Sequence, residues 1–285
     1  CDGVVASGVE KRTDLGSEET NGARAGSADR EWEVFGGGNV AALYALMARA
    51  HMDRYGTTRR ELSEVAVKNH QNATENEYAQ YRNEVSAEVV ESTPYVSEPL
   101  RAFDCSPASD GAAAVVVVPA ETATEYVDDP VYVEATEQAS DSLTVHDRRD
   151  VTTLDATRKA AERAYDAAGG TPGDVDLAEV HDSYTVAEVL AVEDLGFAEK
   201  GEGGEFIAEG CGSVGGETPT NPSGGLKACG HPLGATGVRQ VVDATRQLRG
   251  EAGTQVEDAS VAVTQNVGGT GGTAVVNVLS DRRSA

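Results

Sequence analysis

One histidine stands between a glycine and a proline in a run of small residues, NPSGGLKACGHPLGATG, at residues 221–237. Pro232 fixes its own φ and disfavours helical backbone at His231, while the neighbouring glycines permit tight turns. Apolar residues then recur with helical spacing, which predicts an amphipathic helix from about residue 234 to 250. The loop therefore presents His231 on stiff backbone before a helix. Two interpretations stay open: a catalytic histidine, or a loop histidine bonded to a backbone carbonyl.

The charge of the chain excludes several classes of function. The sequence has 285 residues, enough for one large or two ordinary domains, and 48 acidic against 23 basic residues give a net charge of −25. Such a surface repels nucleic acid and anionic membranes, so we expect neither as a partner. The charge is spread along the chain and lysine is scarce. This composition is similar to that of proteins from salt-loving organisms, where high salt screens the self-repulsion.

The cysteines do not indicate a zinc site or a disulfide framework. Cys1, Cys105, Cys211 and Cys229 show no CxxC spacing, and a reduced cytoplasm fits this usage best. No apolar run reaches transmembrane length, and no secretory signal is visible. The longest apolar run, residues 112–118, predicts a strand buried on both faces. We expect no metal site and a cytoplasmic protein.

Hydrophobic periodicity predicts an α/β protein. Thr57 or Thr58 is expected to cap one of the helices. Residues 12–30 and 199–222 are polar or glycine-rich, which indicates loops, the second of them long enough to suggest a functional role. The predicted helices cover residues 38–54, 58–70, 153–168 and 185–195, and the predicted strands cover residues 1–11, 112–118, 175–180, 261–264 and 273–279, with a further strand within 121–145.

A second histidine follows one of these strands. His181 comes directly after the strand at residues 175–180 and before the helix at 185–195, a place where functional side chains often lie in α/β folds. The glycine-rich run at 268–272 lies between two strands with no helix after it. It therefore predicts a hairpin with backbone N–H groups facing a site, or a simple tight turn, and not a dinucleotide-binding loop.

Three ordered blocks together resemble the thiolase family. They are SGGLKACGHPLGATG, EVHDSYTVAEVLAVEDLGF at residues 179–197 and VTQNVGGTGGTAVVNVL at 263–279. The HD-type block at His181 is similar to that of archaeal and sterol-carrier-protein-type thiolases. The resemblance implies a layered α/β/α/β/α fold of two similar halves plus a loop domain. Residues 1–130 would hold the remainder of the N-terminal half, including the loop domain at about 12–99, and residues 131–285 the C-terminal domain.

The resemblance also implies where the nucleophile lies. In thiolases, a block like DGVVASGVEK follows the nucleophilic cysteine, which sits in an ACASG-like turn. We therefore expect that Cys1 is not the nucleophile, that the N-terminal half is incomplete, and that this chain alone is inactive.

Thiolase chemistry requires a thiolate, a base that generates it, oxyanion donors and a second acid or base. By resemblance, His231 activates the nucleophile and His181 helps to form an oxyanion hole. The second cysteine of related enzymes is missing: one of its two positions holds Ser183, a much weaker acid, and the other holds Asn266. Cys211 and Cys229 are alternative substitutes. The expected substrate-binding residues are Ser223, Gly224, Asn266, Gly268 and Gly269.

The leading function is that of an acetyl-CoA C-acyltransferase of lipid metabolism, which condenses or thiolyses acyl-CoA substrates reversibly. No cofactor is expected besides the coenzyme A thioester as substrate. A thiolase-like retro-aldolase, or a non-catalytic acyl-CoA-binding scaffold subunit, remains the alternative. Partners implied by the resemblance are a second copy in a homodimer or higher oligomer, a small OB-fold protein and a hydroxymethylglutaryl-CoA synthase-like enzyme.

Overall fold

The computed structural model describes residues 2–16, 19 and 25–282, so the expectation for Cys1 lies outside the described residues. The helices are α1 (Val40–Tyr55), α2 (Arg59–Asn72), α3 (Ala87–Ser92), α4 (Asp155–Ala168), α5 (Thr185–Asp194), α6 (Gly203–Ala208), α7 (Gly225–Cys229) and α8 (Leu233–Leu248). The strands are β1 (Val4–Glu10), β2 (Tyr95–Ser97), β3 (Leu100–Arg101), β4 (Gly111–Val117), β5 (Tyr132–Ser140), β6 (Leu177–Glu179), β7 (Val261–Gly268) and β8 (Thr273–Ser280).

A four-stranded sheet carries the C-terminal half, in the order β5-β8-β7-β6. Strands β7 and β8 form the predicted glycine-rich hairpin, and β8 also pairs antiparallel with β5. Strand β6 is short and pairs parallel with β7 through Leu177, Ala178 and Glu179 only. Because β6 ends there, the chain leaves the sheet at its carboxyl end and places His181 beyond it.

Helix α8 lies between two sheets. It packs on β6 and β7 on one side and on the two-stranded sheet of β1 and β4 on the other. Gly8 and Gly234 let these elements approach closely, since a Cβ on Gly8 would lie 2.0 Å from the Gly234 carbonyl oxygen. Helix α4 covers the opposite face of the four-stranded sheet. This layering confirms the predicted thiolase-like α/β fold.

Strand β4 is less buried than the sequence predicts, and its partner β1 is exposed as well. They pair antiparallel with each other, and β4 alternates between half-buried and exposed residues. Val5 and Val116 face each other across the pair and are 65% and 72% exposed. The prediction that residues 112–118 form a strand buried on both faces is therefore wrong, because only one face of this sheet packs against α8.

Helix α5 is buried along its whole length. Its apolar side chains pack against α1 and α2, with Met47, Leu62 and Leu190 in a shared core. Its acidic residues form ion pairs. For example, Glu188 Oε1 lies 2.8 Å from Lys68 Nζ. Helix α2 begins with the predicted cap at Thr58, which forms a capping box with Glu61. Within the described residues, no helix is both long and apolar enough to span a membrane.

Candidate active site

His231 lies in the turn between α7 and α8, as its sequence context predicts. Its backbone N–H donates to the carbonyl of Pro107 at 3.3 Å, and its ring Nδ1 lies 2.8 Å from the Thr236 hydroxyl. Gly230 precedes it with φ 96°, in the left-handed region, and a Cβ there would lie 2.5 Å from Ser109 Oγ. The glycine is therefore required by both backbone conformation and space.

Thr236 fixes the tautomer of His231. Its hydroxyl donates to the Pro232 carbonyl at 2.9 Å, and a carbonyl can only accept. The hydroxyl oxygen consequently accepts from the ring, which places the proton of neutral His231 on Nδ1. Nε2 then carries a lone pair, as a general base requires.

His181 follows β6 and is held by two residues of β7. Its backbone N–H donates to Gln265 Oε1 at 2.9 Å, and Asn266 Nδ2 lies 3.0 Å from its ring Nδ1. Gln265 is itself anchored, since its Nε2 donates to Thr157 Oγ1 on α4 at 2.9 Å. Neighbouring residues of one strand thus fix both the backbone and the ring of His181.

The two histidines meet in the fold although 50 positions separate them in sequence. The rings of His181 and His231 lie edge to face, with centroids 5.0 Å apart and an interplanar angle of 89°. Both side chains are about 95% buried. The structure therefore brings together the two residues to which the family resemblance assigns complementary catalytic roles.

Asp182 connects the two histidine blocks. Its carboxylate accepts from the backbone N–H groups of Leu226 and Lys227 at 2.6 and 3.0 Å, at the start of α7, and from Asn69 Nδ2 at 2.8 Å. Burial raises the pKa of Asp182 to about 6, and the nearby Glu188 carboxylate adds to this shift. Asp182 thus ties the chain after β6 to the segment that carries His231.

Sequence reasoning missed the segment at residues 105–109 as part of the site. Its Ser106 N–H donates to the Ser183 carbonyl at 3.0 Å, and its Ala108 forms a bridge with His231. The segment therefore runs between the two histidine blocks and spaces them. The only sequence signal for this segment is the turn-like run DCSPASDG at residues 104–111, which does not by itself indicate a functional role.

Ser223 and Gly224 are in structural contacts here. Ser223 donates its N–H and its hydroxyl to Glu179, at 3.0 and 2.7 Å. Gly224 has φ 103°, and a Cβ there would lie 2.6 Å from that of Ala73. Their expected role in substrate binding stays a prediction. The observed contacts show that they join the His231 segment to β6 and α2.

The glycine-rich hairpin touches α1. Tyr44 donates its hydroxyl to the Gly269 carbonyl at 3.3 Å, and its ring packs on that of Tyr184 with centroids 4.7 Å apart. Tyr184 is two residues from Asp182 in the second histidine block. The expected roles of Asn266, Gly268 and Gly269 in substrate binding stay predictions, but the hairpin does lie beside His181.

Ser183 and the cysteines were the candidates for the second acid or base. Ser183 belongs to the His181 block, is buried, and accepts through its backbone carbonyl from the Ser106 N–H. The Cys229 thiol donates to the Ser223 carbonyl at 3.1 Å, and burial raises its pKa to about 12. A thiol with so high a pKa does not exchange protons readily near neutrality. Cys211 packs beside the core of α1, α2 and α5, which also favours a structural role.

No group of three or more histidine, cysteine, aspartate or glutamate side chains within residues 2–16, 19 and 25–282 is arranged to hold a metal ion. The polar groups of the site instead bond to one another and to backbone. The arrangement is a preorganised pair of histidines on tied-down loops, which suits proton transfer and oxyanion stabilisation.

Two family descriptions match this chain. "Thiolase, N-terminal domain" matches residues 1–121, and "Thiolase C-terminal domain-like" matches residues 137–281. The chain belongs to the thiolase family. Its relatives named acetyl-CoA acetyltransferase, at 54% and 44% identity, indicate an enzyme of the thiolase type.

Individual relatives agree with the archaeal and sterol-carrier-protein type. The chain is 54% identical to an acetyl-CoA acetyltransferase of Methanothermobacter thermautotrophicus, over 97% of this chain and 72% of that protein. It is 36% identical to sterol carrier protein 2 of Oryctolagus cuniculus, over 83% of this chain and 44% of that protein. Among solved structures, the Ltp2-ChsH2(DUF35) aldolase superposes with a TM-score of 0.87 at 27% identity, over 99% of this chain and 74% of that one.

Proposed function

We propose that this protein catalyses reversible acyl transfer between acyl-CoA thioesters, with acetyl-CoA as one substrate. The observation that carries the proposal is the pair of adjacent histidines, of which His231 bears an Nε2 lone pair. Similarity to the acetyl-CoA acetyltransferase of Methanothermobacter thermautotrophicus supports the choice of substrate.

In this proposal, His231 removes the proton of the nucleophilic thiol. The thiolate attacks a thioester carbonyl, the acyl group passes to sulfur, and coenzyme A leaves with that proton. His231, whose proton has left with coenzyme A, then removes an α-proton from a second acyl-CoA. The resulting carbanion attacks the acyl-enzyme carbonyl and expels the cysteine thiolate. His181 donates from Nε2 to the thioester oxygen of this second substrate, where negative charge develops.

Thiolysis of acetoacetyl-CoA by the native enzyme tests this proposal. With coenzyme A present, the absorbance of the magnesium enolate of acetoacetyl-CoA should fall while two molecules of acetyl-CoA form per turnover. His146→Ala serves as the control for substitutions of His231 and His181, because the His146 side chain is 51% exposed. Absence of both thiolysis and acyl-enzyme formation would refute the proposal.

A retro-aldolase that works with a small OB-fold partner is the second candidate. The similarity to the Ltp2-ChsH2(DUF35) aldolase favours it, and the missing second cysteine at Ser183 is compatible with it. The reaction products distinguish the aldolase from the acyltransferase. An aldolase cleaves a β-hydroxyacyl-CoA into a carbonyl compound and a shorter thioester without consuming coenzyme A, and only when its partner is present.

We also propose that the protein works in the cytoplasm, in lipid metabolism, as a homodimer or higher oligomer adapted to high salt. Its cysteine usage supports the compartment, and its net charge of −25 supports the salt adaptation. A hydroxymethylglutaryl-CoA synthase-like partner stays a proposal from family resemblance. Light scattering at molar salt tests the oligomeric state.

A further inference from the structure

The Gln240 side chain of α8 fills the gap where β6 and β7 separate. Its Nε2 donates to the backbone carbonyls of Glu179 and Gln265, at 3.2 and 3.0 Å. Carbonyls can only accept, so both hydrogens of this amide are used and its orientation is fixed. Gln240 Oε1 must therefore act as an acceptor for any further neighbour.

That neighbour is Asn266. Its Nδ2 lies 2.8 Å from Gln240 Oε1 and 3.0 Å from Nδ1 of His181. Since Gln240 offers only an acceptor, Asn266 must present its NH₂ group here, and the second hydrogen of that group is directed at the imidazole. Nδ1 of His181 therefore accepts, and the proton of the neutral ring lies on Nε2.

We propose that Gln240 and Asn266 form a hydrogen-bond relay that holds neutral His181 as the Nε2–H tautomer. The relay begins at two backbone carbonyls and ends at the ring, so the fold itself sets the position of the proton. Both relay residues are positioning residues because they act through His181.

The relay gives the two adjacent histidines opposite tautomers. Thr236 accepts from His231, which leaves a lone pair on its Nε2, whereas Asn266 donates to His181, which leaves a hydrogen on its Nε2. One ring is thus prepared as a base and the other as a hydrogen-bond donor, although the residue type is the same. This inference rests on the proposed function, because the donor matters for catalysis only if His181 faces a thioester oxygen.

Nitrogen-15 NMR of the imidazole rings tests the relay without any assay of activity. The chain has five histidines, which makes assignment by single substitution feasible. At neutral pH, His181 should show an unprotonated Nδ1 and a protonated Nε2, and His231 the reverse. A protonated Nδ1 on His181 in the unsubstituted protein would overturn the proposal.

Asn266→Asp tests the direction of the hydrogen bond, because a carboxylate can only accept. Nδ1 of His181 should become protonated in this variant. Asn277→Asp is the matched control: Asn277 lies on the paired strand β8 and donates to Thr264 Oγ1 at 2.8 Å, so it should leave His181 unchanged. An unprotonated Nδ1 in folded Asn266→Asp protein would contradict the relay.

Gln240→Leu tests the first step, with Gln247→Leu as its control. Both glutamines are buried on α8 and bond to backbone carbonyls, but Gln247 bonds to Thr254. Only Gln240→Leu should produce a mixture of the two His181 tautomers in the NMR spectrum. If the ring in that variant is still entirely the Nε2–H tautomer, Gln240 has no part in the relay.

Kinetics of the native enzyme then separate this proposal from the proposed function. Asn266→Asp should lower kcat for thiolysis by roughly 10²-fold or more at neutral pH, the loss associated with one oxyanion donor, while alkylation of the nucleophile continues at its usual rate. If the NMR signals shift as expected but kcat does not change, the relay stands and the oxyanion role of His181 fails.

Discussion

The rings of His181 and His231 touch edge to face with centroids 5.0 Å apart, and each is held at Nδ1 by a different partner on a different element. Thr236 on α8 fixes one ring, and Asn266 on β7 fixes the other. The reactive edges of the two rings are therefore set by the packing of α8 against the four-stranded sheet, and changes in that packing should affect the two histidines separately.

Thr236→Val should slow thiolate formation, because it removes the acceptor that holds the proton on His231 Nδ1. We expect alkylation of the native enzyme by iodoacetamide at neutral pH to slow by about tenfold, within the roughly 10²–10⁴-fold that a positioned base contributes altogether. Thr245→Val is the matched control. Thr245 makes the same bond to the preceding turn, at 2.7 Å from the Val241 carbonyl, without touching a histidine. Equal rates in the two variants would show that Thr236 does not set the tautomer.

Glu179→Gln should reduce the pH dependence of stability. Burial raises the pKa of Glu179 from 4.5 to about 8, with a further contribution from Asp243. The folded state then binds a proton that the unfolded state releases, so this contribution to stability is present at low pH and is lost as pH rises from about 4.5 to 8. Urea unfolding should show a smaller fall in the free energy of unfolding across this range in Glu179→Gln than in the unsubstituted protein. The exposed Glu209→Gln should behave like the unsubstituted protein, and an unchanged slope in Glu179→Gln would contradict the assignment.

Salt should stabilise the fold, because a net charge of −25 with five lysines leaves strong self-repulsion at the surface. Between low and molar KCl, we expect the free energy of unfolding to rise by at least about 1 kcal/mol, or roughly 2–4 °C in Tm for a large domain. Thermal melts across a salt series measure this directly. A Tm that stays flat or falls would refute the salt adaptation.

The 285-residue chain should self-associate through the outer face of the β1–β4 sheet, where Val5 and Val116 are exposed opposite each other. The double variant Val5→Lys, Val116→Glu replaces this apolar pair with opposite charges. It should sediment as a smaller species, whereas the control Leu143→Lys, at another exposed apolar site, should not. If both variants sediment like the unsubstituted chain, the interface lies elsewhere.

Local features of the fold were predictable from the sequence. The capping box at Thr58, the helix after His231 and the hairpin of β7 and β8 follow from patterns within a few residues. The burial of β4 on both faces was wrongly predicted, because apolar composition indicates a strand but not how many of its faces are covered. Burial depends on neighbours that come from other parts of the chain.

The site was predictable only in part for the same reason. His181 and His231 could be chosen from motifs, but the residues that set their protons could not. Gln240 contacts residues 26 and 61 positions away, and Asn69 reaches Asp182 across 113 positions. No sequence period relates these positions, so the contacts become visible only when α2, α8 and the sheet are packed together.

Paired alkylation and turnover measurements on His231→Ala and His181→Ala in the native enzyme test the central claim most directly. If His231 is the base, His231→Ala should sharply slow alkylation of the nucleophilic cysteine at neutral pH, since an unactivated thiol is mostly protonated there. His181→Ala should leave alkylation nearly unchanged while lowering kcat for thiolysis by roughly 10²–10³-fold, as loss of an oxyanion donor does. Equal loss of alkylation in both variants, or no loss of alkylation and turnover in either, would contradict the division of roles between these two histidines.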